Sequence, residues 1–235
     1  MNVYWSTFLD GQSVTDLSFF EPQNLFKQTK SEFSGLKREE SFLLCPSFKE
    51  LTKQTYTLKF PYDYDVTIDR ANESVTSDMY DQSFFNEYLH LRSTKDGLIS
   101  FKLAYIFFSD SDLDMEVTGA HFSENSFTKN VRVVPGKMNI SKWVRPVECA
   151  FVINKDINNL VTKRGDDYLY LNFCTNEDIN LKRFQVTPQI DKIIKGNLAT
   201  RSYHKRYSPL QFWYDMFEGS RQNKVLLREI EKNLL

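Results

Sequence analysis

Cysteine and histidine are scarce in this chain of 235 residues, with three of each. Cys45, Cys149 and Cys174 lie far apart and never in C-x-x-C spacing. That argues against a disulfide framework and against a zinc site built from local pairs. Reduced, buried thiols of a cytoplasmic protein are the expectation. The histidines are His90, His121 and His204, and none opens an H-x-D/E pair. Neither a non-haem iron site nor a cupin-type metal site is expected.

Other absences narrow the field further. The G-x-S-x-G elbow of serine hydrolases is missing, as are the phosphate-cradling G-x-x-x-x-G-K-[ST] and the dinucleotide G-x-G-x-x-G. No run approaches 18 apolar residues, so no membrane span is expected. The opening MNVYWSTFLDGQS has neither a basic n-region nor an apolar h-region, so no signal peptide is expected.

Aromatic residues are abundant, at 15% with 20 Phe and 12 Tyr. A chain of this length hides roughly 70% of its unfolded surface, enough for a real core. Net charge is −1 but unevenly placed. Residues 1–120 carry 11 Lys and Arg against 19 Asp and Glu, whereas residues 121–235 carry 19 against 12. Such asymmetry fits attraction between the halves, within one fold or between protomers, or an anionic partner for the basic half.

The apolar pattern is mostly of period two. TYTLKF alternates, Pro61 interrupts, and YDYDVTID alternates again. LISFKLAYIFF (98–108) reads as a central strand. MEVTGAHF, VRVV (131–134) and WVRPVECAFVI, bent at Pro146, read as further strands, and 168–187 reads as a hairpin. DQSFFNEYLHL (81–91) has helical spacing, with a strand as the alternative. A short helix is expected after Pro22, another at about 46–54, and three after Pro188, one of them stopped by Gly219. The expected fold is mainly β: a single domain over 1–235, formed by an antiparallel, jelly-roll-like β-sandwich with a helical C-terminal segment. Its β-rich core spans about 56–187 and its helical appendage about 188–235.

Two acidic alternations invite a metal reading. Asp63, Asp65 and Asp69, and Asp110, Asp112 and Asp114, resemble the start of a calcium loop, D-x-D-x-[DN]-G. The glycine position holds Ile68 in one and Met115 in the other, and the twelfth holds Ser74 and His121, so neither is an EF-hand. Period two gives a better account of 63–69: carboxylates on a wet face about 6.6 Å apart, aromatic and aliphatic residues inside. Only if the two runs lay side by side in a sheet would their carboxylates converge on Ca or Mg. No cofactor is otherwise expected.

Two further groups are candidate binding residues. Arg201, Tyr203, His204, Lys205 and Arg206 interleave cations with aromatics, as single-stranded nucleic-acid sites do. The alternative is a solvated link between helices. Trp5, Trp143 and Trp213 would serve a carbohydrate platform if exposed, although large aromatics are more often core.

The phrases CPSF (45–48), LKFPYDYD (58–65), GKMNISKWVRPVE (136–148) and GDDYLYLNF (165–173), in that order, resemble uncharacterised proteins encoded by tailed phages of marine cyanobacteria. The resemblance covers roughly residues 43–187. It implies a viral origin and a place in the host cytoplasm or the virion, and it transfers no site residue. The expected function is non-catalytic binding or assembly, through a protein partner or self-association and without a membrane. The alternatives are a metal-dependent enzyme on the acidic strands and a binder of single-stranded nucleic acid or carbohydrate.

Overall fold

A computed structural model describes residues 1–8, 19–37, 41–83, 89–203 and 208–235, and for 102, 103 and 200–203 it describes the backbone only. The fold is mainly β. Its strands are β1 (Asn2–Thr7), β2 (Gln23–Asn24), β3 (Thr55–Lys59), β4 (Tyr64–Asp69), β5 (Ser74–Thr76), β6 (Leu89–Ser93), β7 (Leu98–Ser109), β8 (Asp114–Gly119), β9 (Val131–Val133), β10 (Gly136–Asn139), β11 (Pro146–Ile153), β12 (Asn159–Thr162), β13 (Asp167–Phe173) and β14 (Asn180–Arg183). The helices are α1 (Leu25–Glu32), α2 (Pro46–Lys53), α3 (Ser126–Asn130), α4 (Pro188–Tyr203), α5 (Leu210–Gly219) and α6 (Gln222–Lys232).

The longest apolar run, in β7, organises the first sheet. Along one edge it pairs β6 through Leu98–Phe101 and β1 through Tyr105–Ser109, and along the other it pairs β11. β9 and β14 complete this sheet, and β14 runs parallel to β1. A second sheet has the order β10-β8-β13-β3-β2, and a small third one the order β12-β4-β5. One core joins all three: Ile99, Phe101 and Phe107 from the first, Leu58, Leu169 and Leu171 from the second, Val66, Ile68 and Leu160 from the third.

The reverse face of the first sheet holds a second core. Side chains alternate along β7, so Ser100, Ala104, Ile106 and Phe108 share that face. Its apolar end, with Tyr4, packs under Ile190, Ile193, Ile194, Phe217, Leu226 and Ile230 of the three C-terminal helices. Backbone bonds pin the end of the chain to β14: Leu235 N–H donates to Arg183 O at 3.0 Å and Gln185 N–H to Asn233 O at 2.9 Å. The helical C-terminus expected from the sequence is therefore a cover over half of one sheet face.

Several expectations need correction. The sheets reach beyond 56–187, because β1 and β2 belong to them. Residues 168–187 are no hairpin: β13 lies in the second sheet and β14 in the first. Alternation reports which face a residue takes and carries no information about the partner strand. The region read as a helix ends in strand β6, where Leu89 opposes Phe101. Pairing with the central strand overrides the local spacing there, while 84–88 lie outside the described residues. The strand expected from Trp143 starts at Pro146, and the bend appears as a register shift between Pro146 and Glu148. Helix α5 does end at Gly219, but the left-handed residue is Arg221, at φ 57°.

Candidate functional site

The expected alternation of 63–69 holds. In β4, Tyr64, Val66 and Ile68 are buried while Asp65, Thr67 and Asp69 are partly exposed. Local donors use those carboxylates. Asp65 accepts from Asn159 Nδ2 at 2.6 Å, Asp63 from the Arg164 backbone N–H at 2.6 Å, and Asp69 from the Ala71 and Asn72 backbone at 3.0 Å. The bonds from Asn72 hold the Asp69 carboxyl below its ordinary pKa. The second acidic run belongs to the second sheet, so the two runs are not neighbouring strands. Asp110 accepts from Asn2 Nδ2 at 2.9 Å. Asp112 and Asp114 share Asn139 Nδ2, at 2.5 and 3.0 Å, and pair with Lys142 and Lys137, both at 3.3 Å. Their nearest cations are lysines, supplied by β10 and the segment after it. Among the described residues, no group of three or more His, Cys, Asp or Glu stands where it could hold a metal ion.

The three tryptophans are buried, so they form no exposed stacking platform. Trp5 belongs to the main core. Trp143 and Trp213 pack edge to face at 5.8 Å under helix α5, with Arg145 6.0 Å above Trp143. Of the basic segment, His204, Lys205 and Arg206 lie outside the described residues, as do the side chains of Arg201 and Tyr203. The cysteines are free, but only Cys149 is buried, and burial pushes its thiol up to about 12. Cys45 and Cys174 are exposed, against expectation. Cys45 is the N-cap of α2, where the backbone N–H groups of Phe48 and Ser47 lower its pKa.

Where the C-terminal helices stop, the reverse face of the first sheet turns polar. The β6–β7 hairpin turns at Gly97, whose φ of 67° suits glycine and where a Cβ would lie 3.1 Å from Ile153 O. This register sets His90 opposite Ser100 and brings both beside Glu148 of β11. Glu148 Oε1 accepts from His90 Nδ1 at 3.1 Å, Ser100 Oγ at 3.1 Å and Arg92 Nη2 at 3.3 Å. Burial raises the Glu148 pKa, but the bonds from His90 and Ser100 and the Arg92 charge outweigh it and leave the carboxyl below its ordinary value. In a hydrolase triad the imidazole stands between nucleophile and acid. Here the carboxylate stands in the middle, so the Ser100 hydroxyl donates its hydrogen bond to Glu148 and not to His90. The cluster orders three donors on a sheet face.

The most unusual surface lies on the opposite side of the molecule. Asn24 caps α1 through a bond from Lys27 N–H at 3.1 Å, and Pro46 opens α2. The two helices pack together over the second sheet. Among the described residues, the fully buried apolar cluster of that cover is small and joins Leu25 to Ala120 and Tyr170. A polar seam does the rest: Asp167 accepts from Gln28 Nε2 at 3.0 Å and pairs with Lys59 at 3.0 Å. Beside it four rings meet: Phe33 at the C-cap of α1, Phe42 in the turn before α2, Phe48 of α2 and Phe122 in the loop after β8, of which Phe33 and Phe122 are exposed and Phe42 and Phe48 partly buried. Phe42 lies 5.2 Å from Phe33, 5.1 Å from Phe48 and 5.6 Å from Phe122. Phe33, Leu36, Leu44, Leu51 and Phe122 are all exposed, Leu51 to 61%. Leu51 lies in the helix expected at about 46–54, and it faces solvent.

Sequence reasoning missed this surface. The available signal was LLCPSF, an apolar run around a helix-starting proline, set among the lysines of a chain half that is otherwise acidic. Comparison with protein-family models finds no match, and no curated protein matches the chain.

Proposed function

We propose that this chain acts by binding another macromolecule, as a non-catalytic assembly or adaptor protein, through the α1–α2 surface. One observation carries the reading: exposed Phe33 and Phe122, joined through the rings of Phe42 and Phe48, with Leu36, Leu44 and Leu51 exposed in and around the same two helices. Monomeric proteins rarely leave contiguous apolar patches of this kind in water, and patches rimmed by polar residues mark interaction sites. A phage-like origin, with a place in the host cytoplasm or the virion, belongs to this proposal on the sequence resemblance alone.

Photo-crosslinking tests it. A benzophenone side chain at position 51 is expected to give discrete adducts in a lysate of the native host cells. The same group at Val161, an exposed position on the third sheet, is expected to give none. Equal yields at the two positions, or no adduct at 51, would reject the reading.

A further inference from the structure

We infer that the α1–α2 surface docks an acidic, amphipathic segment of a protein partner, an inference that rests on the binding reading above and adds the partner's chemistry. A groove of about 620 Å³ runs beside the exposed rings, between the two helices and residues 178–181. Phe26 and Tyr56 line it together with three lysines, Lys27, Lys49 and Lys53, and two acidic residues, Glu50 and Asp178, which leaves the lining net positive by one. Lys53 pairs with Asp178 at 3.1 Å, whereas Lys27 and Lys49 have no acidic partner among the described residues. Phe26 also stands 6.4 Å from Phe48, so the groove and the aromatic cluster form one continuous surface. Apolar side chains of an incoming helix would meet the rings and leucines while its carboxylates met the free lysines. This is the groove mode of helix recognition.

Charge decides against the obvious rival, a second copy on the same face. Helices α1 and α2 carry four lysines against two glutamates. A two-fold contact puts each patch against itself, so the net positive charge of one copy's helices would meet that of the other and weaken the contact. Ring geometry decides against a single-stranded nucleic acid. Bases need free ring faces, but these phenylalanines turn edges into each other's faces, and the remainder of the exposed surface is aliphatic.

The probe is a fluorescein-labelled helical peptide with leucines at positions i, i+3, i+4 and i+7 and glutamates elsewhere, titrated with the full chain by fluorescence polarisation. Controls are the same composition scrambled, a lysine-for-glutamate version, oligo-dT and phosphatidylserine vesicles. We expect binding of the acidic amphipathic peptide that weakens with salt. The double variant Lys27→Glu/Lys49→Glu is expected to lose at least tenfold, as is Leu44→Ser/Leu51→Ser, with circular dichroism unchanged in both. Equal binding of the scrambled or basic peptide, preference for oligo-dT or vesicles, or an affinity indifferent to the lysine changes would overturn the acidic partner. Such results would leave the binding reading standing. Self-association abolished by Leu44→Ser/Leu51→Ser would do the same. If no probe binds and the chain sediments as a monomer at every concentration, both inferences fall.

Discussion

The C-terminal helices and the α1–α2 pair both lie on outer sheet faces, but they are attached by different forces. The C-terminal cover buries Ile190, Ile194, Leu226 and Ile230 against Tyr4, Ile106 and Phe108, and backbone bonds pin its end to β14. Among the described residues, the α1–α2 cover buries one apolar side chain of its own two helices, Leu25, beside the threonines Thr29 and Thr52; it relies on Gln28 and Asp167 and leaves Leu44 and Leu51 in water. The buried hydroxyls of Thr29 on α1 and Thr57 on β3 have no hydrogen-bond partner among the described residues, a further cost to that attachment. One cover is therefore part of the folding core. The other spends little of its apolar surface on the fold and has it available for a partner.

The contrast can be broken at several depths. Ile194→Ala in the sealed cover should cost the most. The side chain is fully buried, and such truncations cost about 2–5 kcal/mol. Urea unfolding should show the loss, and a change below about 1 kcal/mol would mean the C-terminal cover is no more sealed than the other.

Glu148 marks where the sealed cover ends. Glu148→Gln should cost about 1 kcal/mol at neutral pH, because a charged acceptor for three donors becomes a neutral one and solvent screens the exposed pairs with His90 and Arg92. Its folded pKa lies below the unfolded value. The carboxylate therefore contributes fully above the unfolded pKa of about 4.3 and loses that contribution as pH falls through the folded value. The stability gap between wild type and Glu148→Gln should accordingly be widest near neutrality and close in acid. A gap constant down to acid pH would refute the role given to the His90, Ser100 and Arg92 bonds.

Gln28→Ala should cost about 1 kcal/mol and act locally. Amide exchange is expected to speed up in α1 while α4 and α6 keep their protection. Uniform acceleration would show that the two covers open together. The smallest effect belongs to Leu51→Ser, expected within about 0.5 kcal/mol of wild type as at other exposed sites. A larger destabilisation would make Leu51 a core residue and remove the main support for a docking surface.

Much of the fold was legible without coordinates. β7 was readable from LISFKLAYIFF, the two faces of β4 from YDYDVTID, and the C-terminal helices from Pro188 and Gly219. These are local signals: period two or 3.6 sets the face, and proline sets the start. The site was scarcely legible. The phenylalanines and the lysine groove gather α1, α2, Phe122 and residues 178–181 from distant parts of the chain. Alternation could not tell that β13 and β14 join different sheets, nor helical spacing that Leu51 would stay exposed.

By itself, then, the sequence determined element types, the facing of side chains and the basic character of α1 and α2, because each depends on neighbours a few residues away. Only the tertiary structure decided which apolar face would be covered. Burial is the sum of contacts brought from far along the chain, and for Phe33, Phe122, Leu44 and Leu51 that sum leaves each of them exposed to water.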